Sequence, residues 1–143
     1  GVLRATMSEY GLIRYRVLVE VEWLKALAAE PAIVELPAFD AATLATLDAI
    51  VTNFDAAAAT RVKTIERSTN HDVKAVEYYL REQVADVPAL ERAIPFLHFA
   101  CTSEDINNLS YGLMLRDARD TIVAPALGAI RDELKRLAHA HAE

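Results

Sequence analysis

Residues 8–30 read SEYGLIRYRVLVEVEWLKALAAE, and this stretch decides the fold class. Ile13, Val17, Val21, Leu24, Leu27 and Ala28 recur at the three- and four-residue steps that place side chains on one stripe of an α-helix. Ser8 offers a capping side chain at its start. Pro31 ends it, because proline disfavours helical geometry in the residue before it. The alternation from Val17 to Val21 also fits a strand, but five residues are outweighed by helical flanks on both sides. One long amphipathic helix is predicted.

The neighbouring segments carry the same kind of punctuation. Asp40 precedes AATLATLDAIVTNF and Asp55 precedes AAAATRVKTIERST, so each Asp is placed to cap a shorter helix of a helical hairpin. DVKAVEYYLREQVADV, residues 72–87, sets Val73, Val76, Leu80 and Val84 on one face and assigns Lys74, Glu77, Arg81 and Glu82 mostly to others. Pro88 fits the first turn of a short helical piece, PALERAI, and PFLHFA forms an irregular, partly buried connector into CTSED. After Thr102, Ile106, Leu109, Leu113 and Met114 share a face. Beyond Pro125 the stripe resumes as Leu127, Ile130, Leu134, Leu137 and His141, giving two helices or one kinked at the proline.

With only four Gly in 143 residues and Ala throughout, the expectation is an all-α chain. It should hold about five to seven helices, a long one near each end, with residues 1–143 forming a single unit. A chain of this length buries roughly 70% of its unfolded surface, so its core needs neither disulfide nor metal. Fifteen Lys plus Arg against 21 Asp plus Glu give a net charge of −6, which argues against a general nucleic-acid partner. The lone Cys101 cannot form an internal disulfide, and a cytoplasmic location is expected. No apolar run of about 18 residues and no secretory pattern is present, so no membrane partner is expected.

Two polar segments interrupt these apolar surroundings. ERSTNHD, residues 66–72, has two readings. In one it is a helix connection capped by Thr69 or Asn70, with Asp72 complementing the helix dipole. In the other it is a pocket edge where His71 supplies a proton or hydrogen bond and Asp72 fixes its tautomer or charge. CTSEDINN, residues 101–108, opens the long final stretch, and Thr102 with Asp105 has capping-box spacing. The same geometry directs backbone N–H groups and the hydroxyls of Thr102 and Ser103 out of a helix N-terminus, a seat for carboxylate or phosphate. Glu104 and Asp105 oppose an anion there unless their side chains turn away.

The remaining polar residues give weaker signals. His139 and His141, two apart, point in different directions on a helix and read as solvated. His98 and Cys101 have metal-like spacing but are too few for a tetrahedral site, and His71, Asp72 and His98 make a poor set, so no metal is expected. Tyr10, Tyr15, Trp23, Tyr78 and Tyr79 read as core, and Arg14, Arg16, Lys63, Arg67 and Lys74 as solvated faces.

KTIERSTNHDVKAVEYYL followed by FLHFACTSEDINNLSYGLMLRDARD resembles the amino-terminal region of the adenylosuccinate lyases, in the fumarase and aspartase superfamily. SEYGLIRYRVLVEVEWLKALA is similar to that family's first long helix, and the likeness runs over about residues 3–137, nearest to the bacterial branch. The resemblance implies the superfamily's all-α amino-terminal domain. It also implies that Asn70, His71 and Asp72 line a substrate pocket and that Thr102 and Ser103 hydrogen-bond substrate at a helix start.

The reaction it implies is elimination of fumarate from adenylosuccinate, giving AMP, and from the related succinylocarboxamide ribotide of purine synthesis. No metal or organic cofactor is implied. The family's THGQ-like motif with its acid His, and its mobile SSxMPxKxNP-like loop with its base Ser, are not in this sequence. An upstream Arg-Tyr pair is also missing, and Arg14 with Tyr15 is not that pair. The expectation is therefore a fragment with no catalytic residue of its own beyond an assisting role for His71, inactive alone and drawn from a homotetrameric parent. The competing expectation is a non-catalytic helical interaction module on the same scaffold.

Overall fold

A computed structural model describes residues 1–142 of the chain. Six α-helices lie among the described residues, with no strand: α1 (Glu9–Ala29), α2 (Ala41–Thr52), α3 (Ala56–Thr69), α4 (Asp72–Val84), α5 (Ser103–Ala118) and α6 (Ala124–Ala140). Short 3-10 segments cover Val2–Ala5 and Pro88–Phe96. The all-α architecture with a long helix near each end is as the sequence predicts.

The helix starts follow the sequence closely because capping is a local interaction. Ser8 accepts a hydrogen bond from the Gly11 N–H at 3.2 Å, Asp40 from Thr43 at 2.8 Å and Asp55 from Ala58 at 2.9 Å. Gly11 serves a second purpose. A Cβ there would sit 2.2 Å from the Thr6 carbonyl oxygen, so only glycine lets the amino-terminal turn pack directly on α1.

α1 is more buried than an amphipathic surface helix. It packs against α2, α3 and α4 and also against α5. Ile13, Val17, Val21 and Leu24 join Leu36, Leu47, Val62, Val76, Leu80 and Leu90 in the main core, while Val19 packs with Val73 and Ile106 in a second cluster. A helix enclosed on several sides has little solvent face left, which decides the fate of its charged residues.

Several sequence expectations are corrected here. Glu77 is buried, and its carboxylate accepts Lys74 Nζ at 2.7 Å and Arg81 Nε at 3.1 Å, so α4 carries an ion triad on its inner side. Tyr78 is exposed rather than core, with Lys74 over its ring. Leu109 does not share the buried face of Ile106 and Met114, and Leu127, Ile130, Leu134 and Leu137 are each between 39% and 62% exposed. The amphipathic pattern of α6 is real, but no described residue covers it.

At Pro125 the helical path is not interrupted. A π turn over Arg119–Val123 joins α5 to α6, with the Ala124 N–H bonding to the Arg119 carbonyl. Proline lacks an N–H and its ring crowds the carbonyl four residues back, so widening the preceding turn accommodates it without ending the helical run.

Between Pro88–Phe96 and α5 runs the irregular connector. Leu97 is buried, and His98 and Ala100 take left-handed φ values of 60° and 57°. The Trp23 indole N–H donates to the Phe99 carbonyl at 2.8 Å, fastening the connector to α1.

Candidate functional site

The two polar segments meet at the junction of α3, α4 and α5. α3 ends where Asn70 takes a left-handed φ of 51° while its N–H donates to the Glu66 carbonyl at 2.8 Å. Asparagine tolerates that conformation better than most residues. The sharp exit turns the chain so that His71, in extended geometry, becomes the N-cap of α4. Its Nδ1 accepts the Lys74 N–H at 3.2 Å. This corrects the expectation that Thr69 or Asn70 caps α4, since Asn70 is spent on ending α3. Thr69 supports the corner by donating its hydroxyl to the His71 carbonyl at 3.1 Å.

The cap also fixes the imidazole. A neutral ring whose Nδ1 accepts a hydrogen bond carries its proton on Nε2, and that nitrogen lies 3.3 Å from Ser103 Oγ. His71 thus faces the first residue of α5, and both side chains remain open to solvent. Asp72 does not set this tautomer as expected, because its Oδ1 is 3.7 Å from Nδ1.

Asp72 instead anchors the segment. Its Oδ2 accepts Arg16 NH2 at 2.6 Å, and Arg16 Nε donates to Asn107 Oδ1 at 2.9 Å, so one guanidinium ties α1, α4 and α5 together. Arg16 is only 4% exposed, a correction to its reading as a solvated cation. Partial burial pushes the Asp72 carboxyl up, but the Val73 amide and the Arg16 guanidinium together outweigh it and hold the group below its ordinary value.

At the start of α5 the capping box is present. The Asp105 carboxylate accepts the Thr102 N–H at 2.7 Å and the Thr102 hydroxyl at 2.9 Å, and these bonds hold Asp105 below its ordinary range. Glu104 accepts from Asn107 Nδ2 at 2.9 Å. Both acids are therefore occupied by donors of their own turn, and Ser103 is the hydroxyl that meets His71. Lys63 is held by Glu9 and Glu66 at 2.6 and 2.7 Å rather than being directed at this corner. An open groove of about 730 Å³ between α3 and α4, lined by Thr64, Ser68, Thr69, Lys74 and Tyr78, flanks the His71 corner.

Sequence reasoning missed Arg16 and Asn107, and it set aside His98, which pairs through Nδ1 with Glu20 Oε1 at 2.6 Å. The available signal was the enclosure of α1: charged residues at positions 16 and 20 of a helix with apolar residues on most faces have nowhere to be solvated. Among the described residues no group of three or more His, Cys, Asp or Glu is placed to hold a metal ion. Cys101 is half-buried beside Val19, Val73 and Ile106, and His139 and His141 are exposed. No helix among the described residues is long and apolar enough to cross a membrane.

The packed helical frame thus brings a histidine, a serine and an anchored carboxylate to one corner. A model of the lyase family matches residues 2–143, and the chain belongs to that family. Within it, the chain is similar to adenylosuccinate lyases. The one from Escherichia coli (strain K12) is 57% identical over 138 residues, 96% of this chain and 30% of the relative. That of Vibrio cholerae serotype O1 is 54% identical over 136 residues, 95% of this chain and 30% of the relative. That of Legionella pneumophila (strain Corby) is 42% identical over 136 residues, again 95% of this chain and 30% of the relative. The chain thus spans about 30% of the length of these curated relatives.

Proposed function

We propose that this chain is one helical unit of an adenylosuccinate lyase and forms one wall of its substrate site. The observation that carries this reading is the meeting of His71 Nε2 with Ser103 Oγ at 3.3 Å, which joins two segments 32 residues apart in sequence into one surface. Asn70 sets the corner, His71 and Ser103 present a nitrogen and a hydroxyl to the substrate, and Thr102 supplies the helix start. Asp72 contributes the half of its carboxylate surface that Arg16 leaves open.

In the reaction, fumarate leaves adenylosuccinate to give AMP, or leaves the related carboxamide ribotide of purine synthesis. A base takes a proton from the carbon beside a carboxylate, and an acid protonates the departing nitrogen. Fixed donors at the α5 N-terminus stabilise negative charge on the substrate. Asp105 already takes the Thr102 N–H and hydroxyl, and Glu104 is turned onto Asn107, so the Ser103 hydroxyl is the side-chain donor left for the substrate. The substrate's own carboxylate and nitrogen supply the reactive groups, so neither metal nor organic cofactor enters the scheme. Acid and base belong to other segments of a homotetrameric, cytoplasmic parent, and the chain alone is inactive.

The test is His71→Gln in the longer lyase. Turnover of adenylosuccinate should fall by about 100-fold, the lower range for a group assisting proton transfer, while the melting temperature moves by a few degrees at most. Unchanged turnover removes His71 from the site. Fumarate release by residues 1–143 alone overturns the division of labour.

A further inference from the structure

Beneath the connector, Glu20 of α1 is 1% exposed, and its Oε2 has no hydrogen-bond partner. Its other oxygen, Oε1, lies 2.6 Å from Nδ1 of His98, whose backbone holds a left-handed φ of 60°. Glu77, the other buried acid of this region, has both carboxylate oxygens engaged by Lys74 and Arg81. Among the described residues, Glu20 alone combines full burial, an orphaned oxygen and one short contact. Burying a carboxylate is costly, and burying it half-satisfied more so, whereas an apolar residue of similar volume would fill the space without that cost. What the apolar residue cannot do is fix the direction and tautomer of an imidazole.

We propose that Glu20 is a positioning residue for His98: its carboxylate holds the ring with Nδ1–H turned inward and presents Nε2 outward, beside the start of α5, as an unblocked acceptor. Three observations support this arrangement. His98 Nε2 makes no hydrogen bond to the described residues, and the His98 side chain keeps 18% of its surface exposed. The residue leads directly into the start of α5, where the His98 carbonyl accepts the Cys101 N–H at 3.4 Å. The strained φ of His98 is held by partners on both sides, Glu20 through the ring and Trp23 through Phe99. His71 and His98 then flank the Thr102–Ser103 start with opposite tautomers. His71 presents an Nε2–H donor and His98 an Nε2 acceptor, each fixed by what its Nδ1 contacts.

The use of that acceptor in a substrate site rests on the lyase reading; the tautomer does not. It is read by long-range proton–nitrogen correlation spectra of the histidine side chains in the chain labelled with nitrogen-15, with His98→Asn identifying the signals. The expected wild-type pattern is a pyrrole-type shift for Nδ1 of His98 and a pyridine-type shift for Nε2, with the reverse for His71. Glu20→Gln keeps a carbonyl acceptor and should preserve the His98 pattern, whereas Glu20→Leu should exchange the two shifts. A wild-type spectrum with Nδ1 pyridine-type, or the same pattern in Glu20→Leu, overturns the proposal; the wild-type spectrum alone decides it should Glu20→Leu not fold. In the longer lyase, Glu20→Leu should lower turnover at least about tenfold and Glu20→Gln largely restore it, by analogy with partners that orient functional imidazoles. Full turnover in a folded Glu20→Leu enzyme overturns the site role. Absence of lyase activity in the wild type would count against the lyase reading, and the spectra would be untouched.

Discussion

At Arg16 a guanidinium with almost no access to water directs two of its nitrogens to Asp72 and Asn107. Removing it leaves both partners without their donor and opens a space between α1, α4 and α5. Arg16→Met should therefore destabilise the chain by about 2 kcal/mol in urea unfolding, less than the roughly 3–5 kcal/mol for breaking a fully buried pair, because Asp72 stays half exposed and can be rehydrated. The pH dependence has a definite sign. Asp72 is held below its ordinary value in the folded state, so its contribution is complete above about pH 4 and lost as pH falls through the lowered folded value. Unfolding midpoints measured between pH 6 and pH 2.5 should show a shallower acid decline in Arg16→Met than in the wild type, and equal slopes would remove the pair from the account.

Residue-scale contacts also mark where sequence reading stops. The caps at Ser8, Asp40 and Asp55 were legible because each bonds an amide three residues on. The Arg16–Asp72 and Glu20–His98 pairs join residues 56 and 78 positions apart, and nothing local encodes a partner at that separation. Of the candidate site residues, His71, Asp72, Thr102 and Ser103 stood out as polar groups between apolar segments, while Asn70 entered the set only through the family resemblance. That His71 would cap α4 and Asp72 would face Arg16 required knowing the left-handed turn at Asn70.

Among the elements, α1 is the one on which the others are aligned, and its amino-terminal end is the most sensitive to volume. Gly11→Ala places a methyl group against the Thr6 carbonyl, so the turn at Val2–Ala5 must move off the helix. The expected cost is about 1–3 kcal/mol, the range for forced overpacking, read as a lower thermal midpoint with the helical circular-dichroism signal retained. A midpoint equal to that of the wild type would show that the turn does not pack on α1 in solution. The periodicity of α1 correctly predicted a helix but not its burial, because apolar spacing reports one face while enclosure by α5 depends on residues a hundred positions away. The same limitation applies to α5 and α6. Their helical pattern was read correctly, whereas the buried face assumed for Leu109 and the α6 leucines requires a neighbour that the described residues do not supply.

For the molecule as a whole, Leu127, Ile130, Leu134 and Leu137 form an exposed apolar row at helical spacing along α6. Contiguous apolar area of this kind drives association when left uncovered. The chain taken alone should therefore sediment as a concentration-dependent mixture of species, and replacing Leu127, Ile130 and Leu134 together by Gln should return it to a monomer. A wild-type chain that remains monomeric across the same concentrations would contradict this. The triple replacement spares the cores around α1, since none of these three side chains is buried there.

The bond from the Trp23 indole to the Phe99 carbonyl has a practical consequence. Trp23 is the single tryptophan in the sequence, so light absorbed beyond the range of the five tyrosines excites one residue. Its N–H is hydrogen-bonded to the segment that leads from His98 to Ser103. The tryptophan emission thus reports on one place, the strap between the buried Glu20 pair and the His71 corner. A displacement of that strap, by a ligand or by a substitution at either end, can be followed optically without adding a label.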